Sequence, residues 1–106
     1  MGEDFVEVAE LNGFAPGTMR CVQLRNRRVL LANVGGTIYA ADELCSHEDA
    51  SLCTGALQGH YVKCPLHGSR FDLQTGEPLE DPAQAPIKTY AVKVQGNAIL
   101  IRLPSE

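Results

Sequence analysis

Two short segments constrain this 106-residue chain more than anything else in it: Cys45-Ser46-His47 and, with sixteen residues between them, Cys64-Pro65-Leu66-His67. Each carries one thiol and one imidazole on a tight stretch. A fold that uses them must bring two loops together and present two sulfur and two nitrogen donors. A tetrahedral set of that kind suits zinc. Structural zinc motifs, however, tend to pair Cys with Cys in one knuckle and His with His on a helix. Here both knuckles are mixed and neither is helical by pattern.

Around these segments the pattern is that of a β protein. Short runs of alternating apolar residues, broken by Gly, Pro, Asn and Asp, predict strands at about Phe5 to Ala9, Met19 to Leu24, Val29 to Val34, Thr37 to Ala41, Tyr61 to Lys63, Thr89 to Val94 and Ala98 to Leu103. Gly35-Gly36 and Gln95-Gly96-Asn97 read as hairpin turns, and Pro16-Gly17 as a turn before the second strand. Between Leu44 and Leu79 the alternation weakens while Gly, Cys, His and Pro accumulate, so this stretch reads as a subdomain inserted in the β framework. Asp81 to Pro86, with two prolines, reads as a stiff loop. The length fits one domain over residues 1–106.

Charge and hydropathy exclude several roles. A net charge of −4 disfavours a nucleic-acid partner, because a duplex binder needs a basic face to release phosphate counterions. The one basic cluster, Arg25, Arg27 and Arg28, reads as solvated strand and turn residues. The longest apolar run, Val29 to Ala32, is far short of the ~20 residues that span a bilayer. The acidic start Met1-Gly2-Glu3-Asp4 lacks the pattern of a secretory signal, so the cytoplasm is the expected location.

Taken together, these features resemble the Rieske family, and within it the small Rieske-type [2Fe–2S] ferredoxins of bacterial aromatic-ring dioxygenase systems. Cys45, His47, Cys64 and His67 fall on the family's four ligand positions, and His67-Gly68-Ser69 followed by Phe71-Asp72 continues the second motif. The resemblance runs from the first strand to the last. It implies an all-β Rieske fold: an antiparallel, sandwich-like framework with a two-loop cluster-binding subdomain at about residues 44–79. It also implies one [2Fe–2S] cluster per chain, one iron held by two Cys and the other by two His. The implied function is that of a one-electron carrier rather than an enzyme. It would act as a monomer between a flavin-containing, NAD(P)H-oxidising ferredoxin reductase and the Rieske centre of a terminal oxygenase. The alternative is a Rieske small subunit fixed to a larger oxidoreductase, such as nitrite reductase.

Several other residues carry expectations. Gly68 would let the backbone approach the sulfides where a Cβ would clash. High-potential relatives carry an extra Cys in each loop, and Leu66 occupies that place in the second. They also carry a Ser and a Tyr that donate hydrogen bonds to sulfur. Ser69 matches the first, with a surface turn serine as its alternative, but Phe71 replaces the second, which predicts a potential near the ~−150 mV end of the class. Cys21 and Cys53 read as separate reduced thiols, and His60 as a surface or strand-edge residue. Tyr39, Tyr61 and Tyr90 read as packing residues. Glu43, Glu48, Asp49 and Asp72 form either a solvated rim or a docking face beside the loops.

Overall fold

The structure, a computed structural model, describes residues 5–24, 27–44, 51–65, 68–79 and 86–102. Its central element is β3 (Arg28–Val34), which contains Val29-Leu30-Leu31-Ala32, the run that fails to alternate. The reason is burial on both sides. Successive strand side chains point to opposite faces, so Val29 and Leu31 enter one core while Leu30 and Ala32 enter another. All four are fully buried.

On its two edges β3 pairs antiparallel with β2 (Thr18–Gln23) and β4 (Thr37–Asp42), the second through a hairpin closed by Gly35-Gly36. β8 (Thr89–Tyr90) extends this sheet beyond β4. One face packs on a three-stranded sheet in which β10 (Ala98–Arg102) lies between β1 (Phe5–Glu10) and β9 (Val92–Gln95). Phe14, Ile38, Ala40, Tyr90, Ile99 and Ile101 fill that first core with Val29 and Leu31. The other face carries the insert: a 3₁₀ turn (Leu52–Thr54) and a small antiparallel sheet of β5 (Ala56–Gln58), β6 (Tyr61–Lys63) and β7 (Arg70–Asp72). Leu52, Val62, Cys64, Phe71, Leu73 and Ile87 meet Leu30, Ala32 and Ala41 in the second core. The result is three layers, with the four-stranded sheet as the shared wall.

Two differences from the sequence reading have simple causes. β5 and β7 were not anticipated because Ala-Leu-Gln and Arg-Phe-Asp, too short for a period of two to register, lack the adjacent aromatic and β-branched residues that marked the equally short β6, Tyr-Val-Lys. The strand expected over Thr89 to Val94 divides at Ala91, since β8 pairs with β4 while β9 pairs with β10. Alternation reports which side chains face inward, not which partner the backbone takes. The ends of the strands expected at Leu24 and Leu103 fall one residue beyond β2 and β10, and Leu103 lies outside the described residues.

The reading of Cys21 and Cys53 as separate thiols is corrected: they are joined in a disulfide, with their Cα atoms 6.1 Å apart at a sequence separation of 32. That Cα distance is within the usual bridging range. Cys21 lies on the face of β2 that meets the second core, and Cys53 sits in the 3₁₀ turn packed against it. The expectation rested on compartment alone, and no local pattern links residues so far apart in sequence.

Candidate metal centre

The first ligand segment is framed by a clamp. Leu44 and Ser51 form an antiparallel bridge, and Leu52 N donates to Glu43 O at 2.8 Å. The Glu43 carboxylate then fixes the clamp from inside. Ser51 Oγ donates to its Oε2, and Arg28 Nε stands 2.6 Å from its Oε1. That second contact is charge against charge, since Oε1 has no aligned hydrogen bond. Glu43 is only 2% exposed, so its place in an acidic rim or docking face is corrected: it is an internal post. Burying a carboxylate is costly unless it is paired and hydrogen-bonded, and Arg28 and Ser51 meet that need. Cys45, His47, Glu48 and Asp49, within 45–50, lie outside the described residues.

The second segment begins where β6 ends. Cys64 N donates to Ser69 O at 2.7 Å and Gly68 N donates to Cys64 O at 3.1 Å, closing the turn that joins β6 to β7. Gly68 holds φ at +77°, a conformation that L side chains rarely adopt. A Cβ there would meet only the flexible Lys63 side chain, so its backbone angle is what calls for glycine. Cys64 is 1% exposed and packs in the second core. Leu66 and His67 lie outside the described residues, as do Arg25 and most of the Asp81 to Pro86 loop.

The chain that follows the first segment meets the start of the second through Gly55. A Cβ on it would lie 1.8 Å from the Lys63 carbonyl oxygen, so only glycine lets the turn after the first segment rest on the residue before Cys64. Thr54, Gly55 and Ala56 on one side and Lys63, Cys64, Pro65 and Gly68 on the other line a groove of about 520 Å³. The donor that can be described fits the expected centre: Cys64 is a free thiol held beside the groove, and a soft thiolate suits iron–sulfur ligation. The described residues alone contain no group of three or more His, Cys, Asp or Glu able to hold a metal. Three of the four expected ligands fall outside them.

Neighbouring residues take structural roles. His60 lies in the turn between β5 and β6, half-buried, with its ring against Tyr61 and Nε2 3.7 Å from Asp72 Oδ1. Asp72 Oδ1 also accepts from Gln74 N at 2.8 Å, so this acid is engaged within its own turn. Ser69 is fully buried, which corrects its alternative as a surface turn residue, and Phe71 is fully buried beside Cys64 in the second core. Arg27 donates to Tyr90 OH at 2.9 Å and Arg28 pairs with Glu43, so these two are anchored rather than simply solvated. Sequence reasoning missed Gly55 and misplaced Glu43.

The chain matches the family described as the Rieske [2Fe–2S] domain over residues 4–91. The naphthalene 1,2-dioxygenase system ferredoxin component of Pseudomonas aeruginosa is 38% identical over 103 residues, covering 97% of this chain and 99% of that protein. Among solved structures, the ferredoxin of carbazole 1,9a-dioxygenase from Nocardioides aromaticivorans IC177 superposes with a TM-score of 0.87 at 35% identity, covering 92% of this chain and 95% of that one. A chain from the complex of reduced oxygenase and oxidised ferredoxin in carbazole 1,9a-dioxygenase gives 0.88 at 30% identity, covering 92% of each. No helix among the described residues is long and apolar enough to cross a membrane.

Proposed function

We propose that this chain, which belongs to the Rieske [2Fe–2S] domain family, is the ferredoxin component of an aromatic-ring dioxygenase system. It accepts single electrons from an NAD(P)H-oxidising flavin reductase and delivers them to the Rieske centre of a terminal oxygenase. The observation that carries this reading is likeness over nearly the whole length of both partners to ferredoxin components, in sequence and in structure. The oxygenase contact is supported by the likeness to a chain of a ferredoxin–oxygenase complex.

A bound [2Fe–2S] cluster supplies a one-electron couple. The residues of this chain set its surroundings. Cys45 and Cys64 would hold one iron, and His47 and His67 the other. Glu43, Arg28 and Ser51 fix the base of the first ligand loop, while the backbone bonds of Cys64 with Gly68 and Ser69 fix the second. Phe71, buried and without a donor, gives no hydrogen bond to sulfur, which favours the low end of the class, ~−150 mV. Leu44 and Pro65, each next to a ligand Cys, are exposed and offer apolar contact at the loop edges. With Glu43 and Asp72 occupied internally, an acidic docking face retains only Glu48 and Asp49. A brief encounter of under ~1,200 Å² suits such a carrier. The chain works as a cytoplasmic monomer, and residues 44–79 form its cluster-binding subdomain.

The test is anaerobic mixing of purified holoprotein with NADH and a flavin reductase of such a system. The reading predicts uptake of one electron per chain, followed by reoxidation on adding a terminal oxygenase. Redox activity confined to a stable complex with a larger oxidoreductase would overturn it in favour of a fixed subunit.

A further inference from the structure

We propose that Cys21 and Cys53 form a reversible thiol–disulfide site whose closure fastens the first ligand loop to the four-stranded sheet and slows loss of the metal centre. The geometry of the bond and the compartment of the chain point the same way. The two cysteines are joined with Cα atoms 6.1 Å apart, yet both are only half-buried, unlike the sealed Cys64. Small thiols and disulfides therefore reach them. Under the cytoplasmic reading above, such bonds form and break in response to redox conditions rather than persist.

Its position gives the bond leverage. The segment closed by Cys21 and Cys53 contains β3, β4 and the whole first ligand segment. Cys53 sits in a turn tied at one end to Glu43, before the first ligand segment, and at the other to Lys63, before the second. Ser51 caps the turn, accepting from Cys53 N at 3.3 Å while its own hydroxyl donates to Glu43. Gly55, at the other end, rests on the Lys63 carbonyl beside Cys64. Fixing Cys53 to β2 therefore restrains the exit of the first loop and the wall of the second.

The chemistry balances with an oxidised low-molecular-weight thiol as the oxidant. One cysteine thiolate attacks this organic disulfide, forming a mixed disulfide and releasing one thiol. The second cysteine attacks the protein sulfur of that intermediate, and the second small thiol leaves with the proton. Two cysteine thiols are oxidised to one disulfide, and one organic disulfide is reduced to two thiols.

The effect on metal retention rests on the ligand assignment proposed above, whereas the bond itself does not. The experiment equilibrates holoprotein anaerobically in graded ratios of reduced to oxidised glutathione. Part of each sample is acid-quenched, denatured and alkylated, and its mass is read. The chain has four cysteines, so the proposal predicts four alkylated thiols at the reducing end and two, Cys45 and Cys64, at the oxidising end. The rest is challenged with an iron chelator and the visible absorbance followed. The oxidised form should lose its colour about tenfold more slowly, and the difference should vanish in Cys21→Ser and Cys53→Ser. Four alkylated thiols at every ratio would overturn the proposal. So would equal rates of colour loss in a coloured protein. A colourless, zinc-loaded protein would instead overturn the metal assignment, and the thiol count would still decide the bond.

Discussion

Glu43 illustrates how a single residue can mislead a sequence reading. In the sequence it is one acid among several near the ligand loops. In the structure it is a buried carboxylate held by Arg28 and Ser51. The asymmetry of burial makes a prediction. Arg28 is 58% exposed, so removing Glu43 strands a cation that water can solvate. Arg28→Ala instead leaves a buried carboxylate with one hydroxyl for support, and should cost more, about 2–4 kcal/mol. Denaturant unfolding of Arg28→Ala against Glu43→Gln checks the order. Phe71 carries the second residue-level expectation. It is buried with Cys64 in one core, so Phe71→Tyr sets a hydroxyl in the neighbourhood of the ligand sulfur, and the potential measured by redox titration should rise. The candidate ligand set was legible as a motif, because Cys and His at that spacing are rare. Glu43 was not, because burial is a property of the folded chain.

Among the elements, the strands of the framework were legible wherever one face is buried, since a period of two is visible over five or six residues. β3 was legible as a strand despite lacking alternation, and its two-sided burial accounts for that lack. What sequence could not convey was contact between elements. The approach of the 3₁₀ turn to β6 through Gly55 depends on a pairing of Ala56 with Lys63 that no local pattern encodes. Gly55→Ala should therefore push the 3₁₀ turn and β6 apart. We expect a loss of about 1–3 kcal/mol in stability together with a fall in cluster content per chain, measured by iron analysis. Gly36→Ala, where a Cβ would meet no neighbour, carries only its backbone penalty. It should leave iron content unchanged.

For the whole molecule, the three layers hold together partly through Tyr90, at the point where the chain crosses from one sheet to the other. Its hydroxyl donates to Asp42 on β4 and accepts from Arg27, while its ring lies in the first core. Burial, followed by the hydrogen bond to Asp42, raises its pKa above the usual 10.0. Folding thus favours the protonated phenol. That contribution is complete below pH 10, declines once the unfolded chain begins to ionise, and is gone above the folded-state pKa. Tyr90→Phe should cost about 1–2 kcal/mol at neutral pH and lose less stability than the wild type as pH rises beyond 10.

The family and the all-β class could be read before any fold was known, because they depend on residue types at fixed spacing and on local alternation. The layer order, the sheet crossing at Ala91 and the Cys21–Cys53 bond could not, because they depend on distant partners. The central claim is that two thiolates and two imidazoles share one binuclear centre. Pulsed electron paramagnetic resonance of the reduced holoprotein tests it most directly. The account predicts a paramagnetic centre coupled to two histidine nitrogens, with the coupling lost or altered in His47→Cys and in His67→Ala but intact in His60→Ala. A paramagnetic centre with no nitrogen coupling, or a diamagnetic protein loaded with zinc, would contradict it.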